Sequence, residues 1–178
     1  MKRLIGSLAL LLVICCYLAG CEKDDICAES TPTTPRIVLG FFSRTNHSEV
    51  KPVIRLEVFT EGSPDTIHLG TIPEVSLPLR VDATSTKWAL TYNRIDGSTS
   101  TGFDPDTDYL EFKYTTREEY VSRACGYKVL FTLEDNTDLL PNPVLSDVPG
   151  DNHLWIESTE VLTTNIENEE DIHIKVYY

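Results

Sequence analysis

Apolar and polar residues alternate along most of this chain. In "RIVLGFFS" the residues Ile37, Leu39 and Phe41 share one parity, and in "VIRLEVF" Ile54, Leu56 and Val58 do so with Arg55 and Glu57 opposite. Val75, Leu77, Leu79 and Val81 alternate with Glu74, Ser76, Arg80 and Asp82. The same pattern recurs at Trp88–Leu90–Tyr92, Leu110–Phe112–Tyr114, Tyr127–Val129–Phe131–Leu133 and Ile172–Ile174–Val176. A period of two marks strands with one buried face. Helical spacing is nearly absent after residue 20. Turn residues punctuate the strands at Glu61-Gly62-Ser63-Pro64-Asp65, Asp96-Gly97-Ser98, Asp135-Asn136 and Pro149-Gly150-Asp151-Asn152. "TIHLGT" (66–71) and "HLWIEST" (153–159) are further strand candidates. About eight or nine strands result, which predicts an all-β fold: an antiparallel two-sheet sandwich of immunoglobulin-like architecture. Pro78 lacks an amide hydrogen, so its strand is expected at an edge. A small membrane barrel is the competing reading, but its strands need about 9–11 residues each, and most segments here are shorter.

The first residues follow a different rule. Lys2 and Arg3 precede an almost unbroken apolar run from Leu4 to Leu18. A basic start, an apolar core and small residues make a secretory signal peptide. The run is short of the roughly 20 residues that span a bilayer. Leu18-Ala19-Gly20-Cys21 resembles the lipobox of bacterial lipoproteins. That resemblance implies a diacylglycerol on the Cys21 thiol, cleavage before Cys21, and acylation of the new amino group. Two or three chains anchor a protein stably where one does not. The expected organisation is a signal peptide (1–20), a lipidated tether (21–26) and one sandwich domain (27–178).

Composition sharpens this picture. Losing residues 1–20 removes Lys2 and Arg3 and no acidic residue, so the formal charge moves from −13 to −15. Such a surface disfavours nucleic acid and anionic membranes. It is compatible with calcium or a basic partner, although plain solubility is the commoner reason. Of five cysteines, Cys15 and Cys16 leave with the signal and Cys21 is modified. Cys27 and Cys125 remain, an even pair in an exported protein, and are expected to form a disulfide. Two separate buried thiols are the alternative; a zinc pair lacks histidines at ligand spacing. The disulfide would close a loop of about 100 residues, worth roughly 4–5 kcal/mol by chain entropy. Cys27 lies six residues from Cys21. That tether reaches about 20 Å at most, so the domain is expected to ride close to its bilayer.

Chemistry-bearing motifs are sparse. Asp104, Asp106 and Asp108 have the alternate spacing of a calcium loop, but Tyr109 and Thr115 stand where that loop needs glycine and glutamate. A solvated turn before a strand is expected there. Residues 136–152 form a long connection whose apolar residues Leu139, Leu140, Val144 and Leu145 are expected to pack on the sandwich edge, with partner docking as the alternative. Asp65-Thr66-Ile67 resembles a short O-glycosylation motif of exported Bacteroidota proteins. His47, His68, His153 and His173 are scattered, and no nucleophile elbow, zinc motif or phosphate loop occurs. No catalytic residue, metal site or cofactor is assigned.

Cys21-Glu22-Lys23-Asp24-Asp25-Ile26-Cys27, the strand ending in Phe41-Phe42, and Ser122-Arg123-Ala124-Cys125-Gly126-Tyr127 resemble an uncharacterised family of small Bacteroidota lipoproteins across the mature chain. Lys23, Asp24 and Asp25 also resemble the acidic signal that sends some lipoproteins of that phylum to the cell exterior. The resemblance implies a location, the outer membrane, with display outward favoured over the periplasmic face that an ordinary acidic tether would leave, and no activity. The leading expectation is a non-catalytic sandwich, held to the membrane at Cys21, that binds or supports another envelope component, an outer-membrane protein being one candidate. The rivals are a glycan- or ligand-binding module using Trp88, Trp155 or Tyr177 as an aromatic platform, and an enzyme of unrecognised type.

Overall fold

In the computed structural model, which describes residues 26–95, 103–137, 139–150 and 153–178, the described chain contains eleven strands and no helix. They are β1 (Ile37–Phe42), β2 (Val53–Thr60), β3 (Ile67–Ile72), β4 (Glu74–Leu77), β5 (Ser85–Ile95), β6 (Phe103–Ser122), β7 (Gly126–Leu133), β8 (Val144–Asp147), β9 (Ser158–Val161), β10 (Asn165–Ile166) and β11 (Ile174–Tyr177). Two compact units are distinguished. One takes in Tyr120–Tyr127 and, of the described residues, 26–31; the other takes in Pro32–Glu119 and Lys128–Tyr178.

The larger unit contains the sandwich expected from the pattern. One sheet has the order β4-β1-β11-β9, and the other β10-β7-β6-β5-β2-β3 with β8 paired to β6. β1 and β11 run parallel in register Leu39–Ile174 to Phe42–Tyr177, whereas β4 with β1, β9 with β11, β10 with β7, β3 and β5 with β2, and β5 and β8 with β6 pair antiparallel. Ile37, Leu39 and Phe41 from one sheet and Leu110, Phe112 and Tyr114 from the other are fully buried and belong to one core cluster. Each such side chain contributes about 1.5–3 kcal/mol of transfer free energy.

Several segments depart from simple alternation. All six residues of β1 are buried. The face opposite the core is covered too: a Cβ on Gly40 would lie 2.7 Å from Ile172 Cδ1, and Phe42 packs on Tyr177, whose ring stacks on His47 at 4.0 Å. His173 is bonded on both its backbone and its ring to Val38: its amide donates to the Val38 carbonyl, and its Nδ1 accepts from the Val38 amide, each at 2.9 Å. Burial accordingly lowers the His173 pKa and keeps the ring neutral.

In β2 the expected parity of Ile54, Leu56 and Val58 breaks. Arg55 adopts a left-handed φ of 48°, and the register shifts between Val53 and Leu56, so Val53 takes the buried place expected for Ile54. β4 lies at a sheet edge and stops at Leu77, just before Pro78, as the missing amide hydrogen requires. Val81, beyond it, is exposed in a turn rather than continuing the strand. That turn is tied down by a ring of bonds: the Arg80 amide donates to Thr86 Oγ1 (2.9 Å), Thr86 and Tyr114 share a bond (2.6 Å), and Tyr114 OH donates to the Arg80 carbonyl (2.8 Å).

The largest difference concerns β6. Residues 104–108, expected as a solvated turn, are already strand, paired from Arg94–Asp104 to Leu90–Asp108 with β5. The opposite edge of β6 is shared. β8 pairs with Asp108 to Glu111, a strand inside the segment expected as a loop. Next, the buried Asn142 side chain stands in for a strand: Oδ1 accepts from the Lys113 amide (3.0 Å), and Nδ2 donates to the carbonyls of Lys113 (2.8 Å) and Glu134 (2.9 Å). β7 follows. Val144 and Leu145 pack as expected, whereas Leu139 and Leu140 are exposed. The strand expected over 153–159 begins only at Ser158, and the two-residue β10 carried no visible period.

Candidate functional site

The most polar point of the interior lies on β6. Asp106 and Asp108 continue the inward parity of Leu110, Phe112 and Tyr114, so their carboxylates enter the sandwich; they are 5% and 0% exposed. Asp108 Oδ2 accepts the Ile156 amide at 2.8 Å, and Asp106 Oδ2 meets His153 Nδ1 at 2.8 Å. The second oxygen of each, Oδ1, is buried without a hydrogen-bond partner. Asp147 of β8 is the direct cross-strand neighbour of Asp108. Burial pushes the Asp108 pKa up to about 7; the amides of Ile156 and Trp155 pull it down, and the charges of Asp106 and Asp147 raise it. A carboxyl group poised near neutrality is the usual equipment of general acid–base catalysis. Here, however, its accepting oxygen is engaged by backbone and the group is closed to solvent.

The same residues hold one segment in place. His153 is bonded to Asp106, the Ile156 amide to Asp108, and Trp155 Nε1 donates to the Leu90 carbonyl at 3.0 Å. The Trp155 ring lies among Phe41, Tyr92 and Tyr178, with centroids 5.3–6.4 Å apart. Lys51 caps this aromatic group, 3.9 Å from the Tyr178 ring centre, with Nζ donating to the Tyr178 carbonyl at 3.0 Å. The carboxylates therefore anchor residues 153–156 against β5 and β6. Among the described residues no group of three or more His, Cys, Asp or Glu side chains is arranged to hold a metal ion.

Two surface depressions are lined by described residues. One, of about 440 Å³, is lined by Lys113, Glu134, Leu140 and Asn142 among others. The other, of about 450 Å³, is lined by Asn165, Glu167, Asp171 and His173 among others. Neither includes His153 or the buried aspartates. In the second, the His173 ring accepts from Val38 and is not free to act as a base.

The remaining sequence-selected residues fall as follows. Cys27 and Cys125 form a disulfide, with a Cα–Cα distance of 4.9 Å, inside the smaller unit. Cys21, Lys23, Asp24 and Asp25 lie outside the described residues. Trp88, Trp155 and Tyr177 are all buried, so they present no outward aromatic platform; Trp155 also lies outside any strand. Tyr177 OH donates to Glu160, and burial first, then Glu160, pushes its pKa up to about 12. Asp104 pairs with Arg94 at 2.5 Å on the surface, and Asp65 and Thr66 are exposed. His68 lies 3.0 Å from Glu57. Sequence reasoning missed the Asp106–Asp108–His153 group. Its visible signal was the phase of Asp106 and Asp108 with Leu110.

Residues 55–178 match the family of unknown function DUF6452. The chain belongs to that family. The family match begins in β2, so it takes in Cys125 and the anchored 153–156 segment but neither β1 nor Cys27; over this part the expectation of an uncharacterised family is met. No curated protein matches the chain, and no solved structure does. Among the described residues no helix is long and apolar enough to cross a membrane.

Proposed function

We propose that this member of DUF6452 is a bacterial lipoprotein of the Bacteroidota type, anchored to the outer membrane through lipid on Cys21 and displayed at the cell surface. Its β-sandwich binds or supports another envelope component and carries no catalysis. The observation that carries this reading is the Cys27–Cys125 disulfide. Such a bond belongs to an oxidising compartment, hence to an exported protein, and it stands six residues after the cysteine that closes the apolar N-terminal run. The Leu18–Cys21 lipobox likeness supplies the anchor, and Lys23-Asp24-Asp25 supplies the outward address. The engagement of Asp106 and Asp108 with a structural segment favours a binding role over an enzymatic one.

The test is the intact mass of the protein extracted from envelopes, with and without Cys21→Ser. A mature chain starting at residue 21 and heavier by a diacylglycerol and an acyl chain supports the reading; an unmodified Cys21 refutes it. Protease shaving of cells, with Lys23, Asp24 and Asp25 replaced by alanine in a parallel strain, decides the face. Accessibility lost on replacement supports outward display, and equal protection of both strains refutes it. Cross-linking in intact envelopes tests the partner: monomer alone, under conditions that trap known complexes, counts against one.

A further inference from the structure

The smaller unit has its own surface. Its disulfide joins the N-terminal segment to the turn between β6 and β7, where Gly126 takes a left-handed φ of 71°. Tyr120 and Tyr127 flank that turn with ring centres 5.3 Å apart, edge to face, and both are exposed, at 58% and 66%. Ile26, next to the disulfide in sequence, is 83% exposed. A pair of tyrosines on a hairpin often serves only to stabilise it, by up to roughly 1 kcal/mol. Here three large apolar side chains lie open in one unit of few residues. Among its described residues, 26–31 and 120–127, only Glu29 and Arg123 are charged, one of each sign, whereas the whole chain carries −13. Asp24 and Asp25 directly precede Ile26 in the sequence, so a headgroup layer without net charge, rather than an anionic one, suits this place.

We propose that Tyr120, Tyr127 and Ile26 form a foot that rests in the headgroup layer of the bilayer. Tyrosine suits that layer, with an apolar ring inward and a hydroxyl in water. The proposal rests on the lipidation reading above for its geometry. Cys27 is fixed to Cys125, and the chain from Cys27 to Cys21 spans at most about 20 Å, so the lipid holds this unit at the membrane surface. The foot then gives the anchor an orientation as well as an attachment.

The experiment uses the full mature lipoprotein, purified from envelopes and reconstituted into phosphatidylcholine vesicles, as wild type and as Tyr127→Trp. Half of the vesicles contain lipid brominated near the headgroup end of its acyl chains. The native tryptophans, Trp88 and Trp155, are buried and give the background. The emission added by Tyr127→Trp is expected to lose roughly half its intensity or more in brominated vesicles, since a ring seated roughly 5–10 Å into the boundary lies within reach of bromine. Unchanged added emission, in protein that carries its lipid and floats with the vesicles, overturns the foot and leaves the anchor standing. Protein without lipid on Cys21 by intact mass refutes the anchor; if it still floats and is still quenched, the foot stands alone, and if it does not float, both fail. Protection of Tyr120 and Tyr127 from nitration in envelopes but not in vesicles also overturns the foot and assigns the patch to a protein.

Discussion

Replacing Asp108 with asparagine should make the protein more stable, and by an amount that depends on pH in a defined way. Asp108 is fully buried, its pKa is raised to about 7 from 3.8, and Asp106 and Asp147 stand beside it. A carboxyl raised on folding helps the folded state below its unfolded pKa, where both states hold the proton. That help is lost as pH rises, because the unfolded chain ionises first and the folded protein must follow at about 7. At about 1.36 kcal/mol per unit, the whole difference is about 4 kcal/mol, of which about 2.5 kcal/mol falls between roughly pH 5 and pH 8.5.

The substituted asparagine keeps an oxygen to accept the Ile156 amide and has no charge to desolvate, and its NH2 faces the neighbouring carboxylates that Asp108 repels. The measurement is urea unfolding of the mature chain, disulfide intact, at about pH 5 and about pH 8.5. The stability gained by Asp108→Asn should be larger at the higher pH by about 2–3 kcal/mol, because the other titrating groups are common to both proteins. Equal gains at both pH values would show that Asp108 stays ionised throughout, and the argument from burial would fail.

Three further outcomes follow from other parts of the molecule. Asn142→Ala leaves the Lys113 amide and the carbonyls of Lys113 and Glu134 without their partner, and should cost about 3 kcal/mol in urea unfolding. Reducing the Cys27–Cys125 bond, or replacing both cysteines with serine, should cost up to about 4–5 kcal/mol on the chain-entropy argument; a loss under about 1 kcal/mol would mean that the bond restrains only its own unit. His173 has a pKa lowered by burial, so its contribution is present above the unfolded histidine value and lost as pH falls. His173→Asn, which keeps an acceptor for the Val38 amide, should therefore flatten the loss of stability on acidification, as thermal melts across that range would register.

Period two was readable wherever a strand has one wetter face and one dry face, as along β6 from Asp106 to Tyr114. It misled for three separate reasons. In β1 and β11 both faces are covered, so Val38 and Tyr177, with His173 just before β11, are buried although alternation places them outside. In β2 one left-handed residue, Arg55, shifts the phase, and no residue type announces it. In β8 and β10 the strands are too short to display a period. The disulfide was legible because only two cysteines follow Cys21. The buried carboxylates were not, because composition assigns aspartate to solvent and only strand phase contradicts it.

That phase has a consequence for where the function lies. Had Asp104, Asp106 and Asp108 formed a solvated loop, they would have been available to an ion or a ligand. As strand residues, two of them turn inward and bind His153 and the Ile156 amide, while the third pairs with Arg94 outside. The strongest polar chemistry of the chain is thus committed to holding residues 153–156, whose Trp155 completes the aromatic group around Tyr178. Chemistry on a substrate at these two carboxylates would require unlocking that segment. The Tyr120–Tyr127 pair, by contrast, is exposed, and neither residue belongs to the buried core cluster. On the proposed reading, stability and membrane contact are separable in this chain. Substitutions at Asp108 or Asn142 should move the unfolding midpoint without altering the proposed membrane contact, and substitutions at Tyr120 or Tyr127 should weaken that contact at a cost in stability of no more than about 1 kcal/mol.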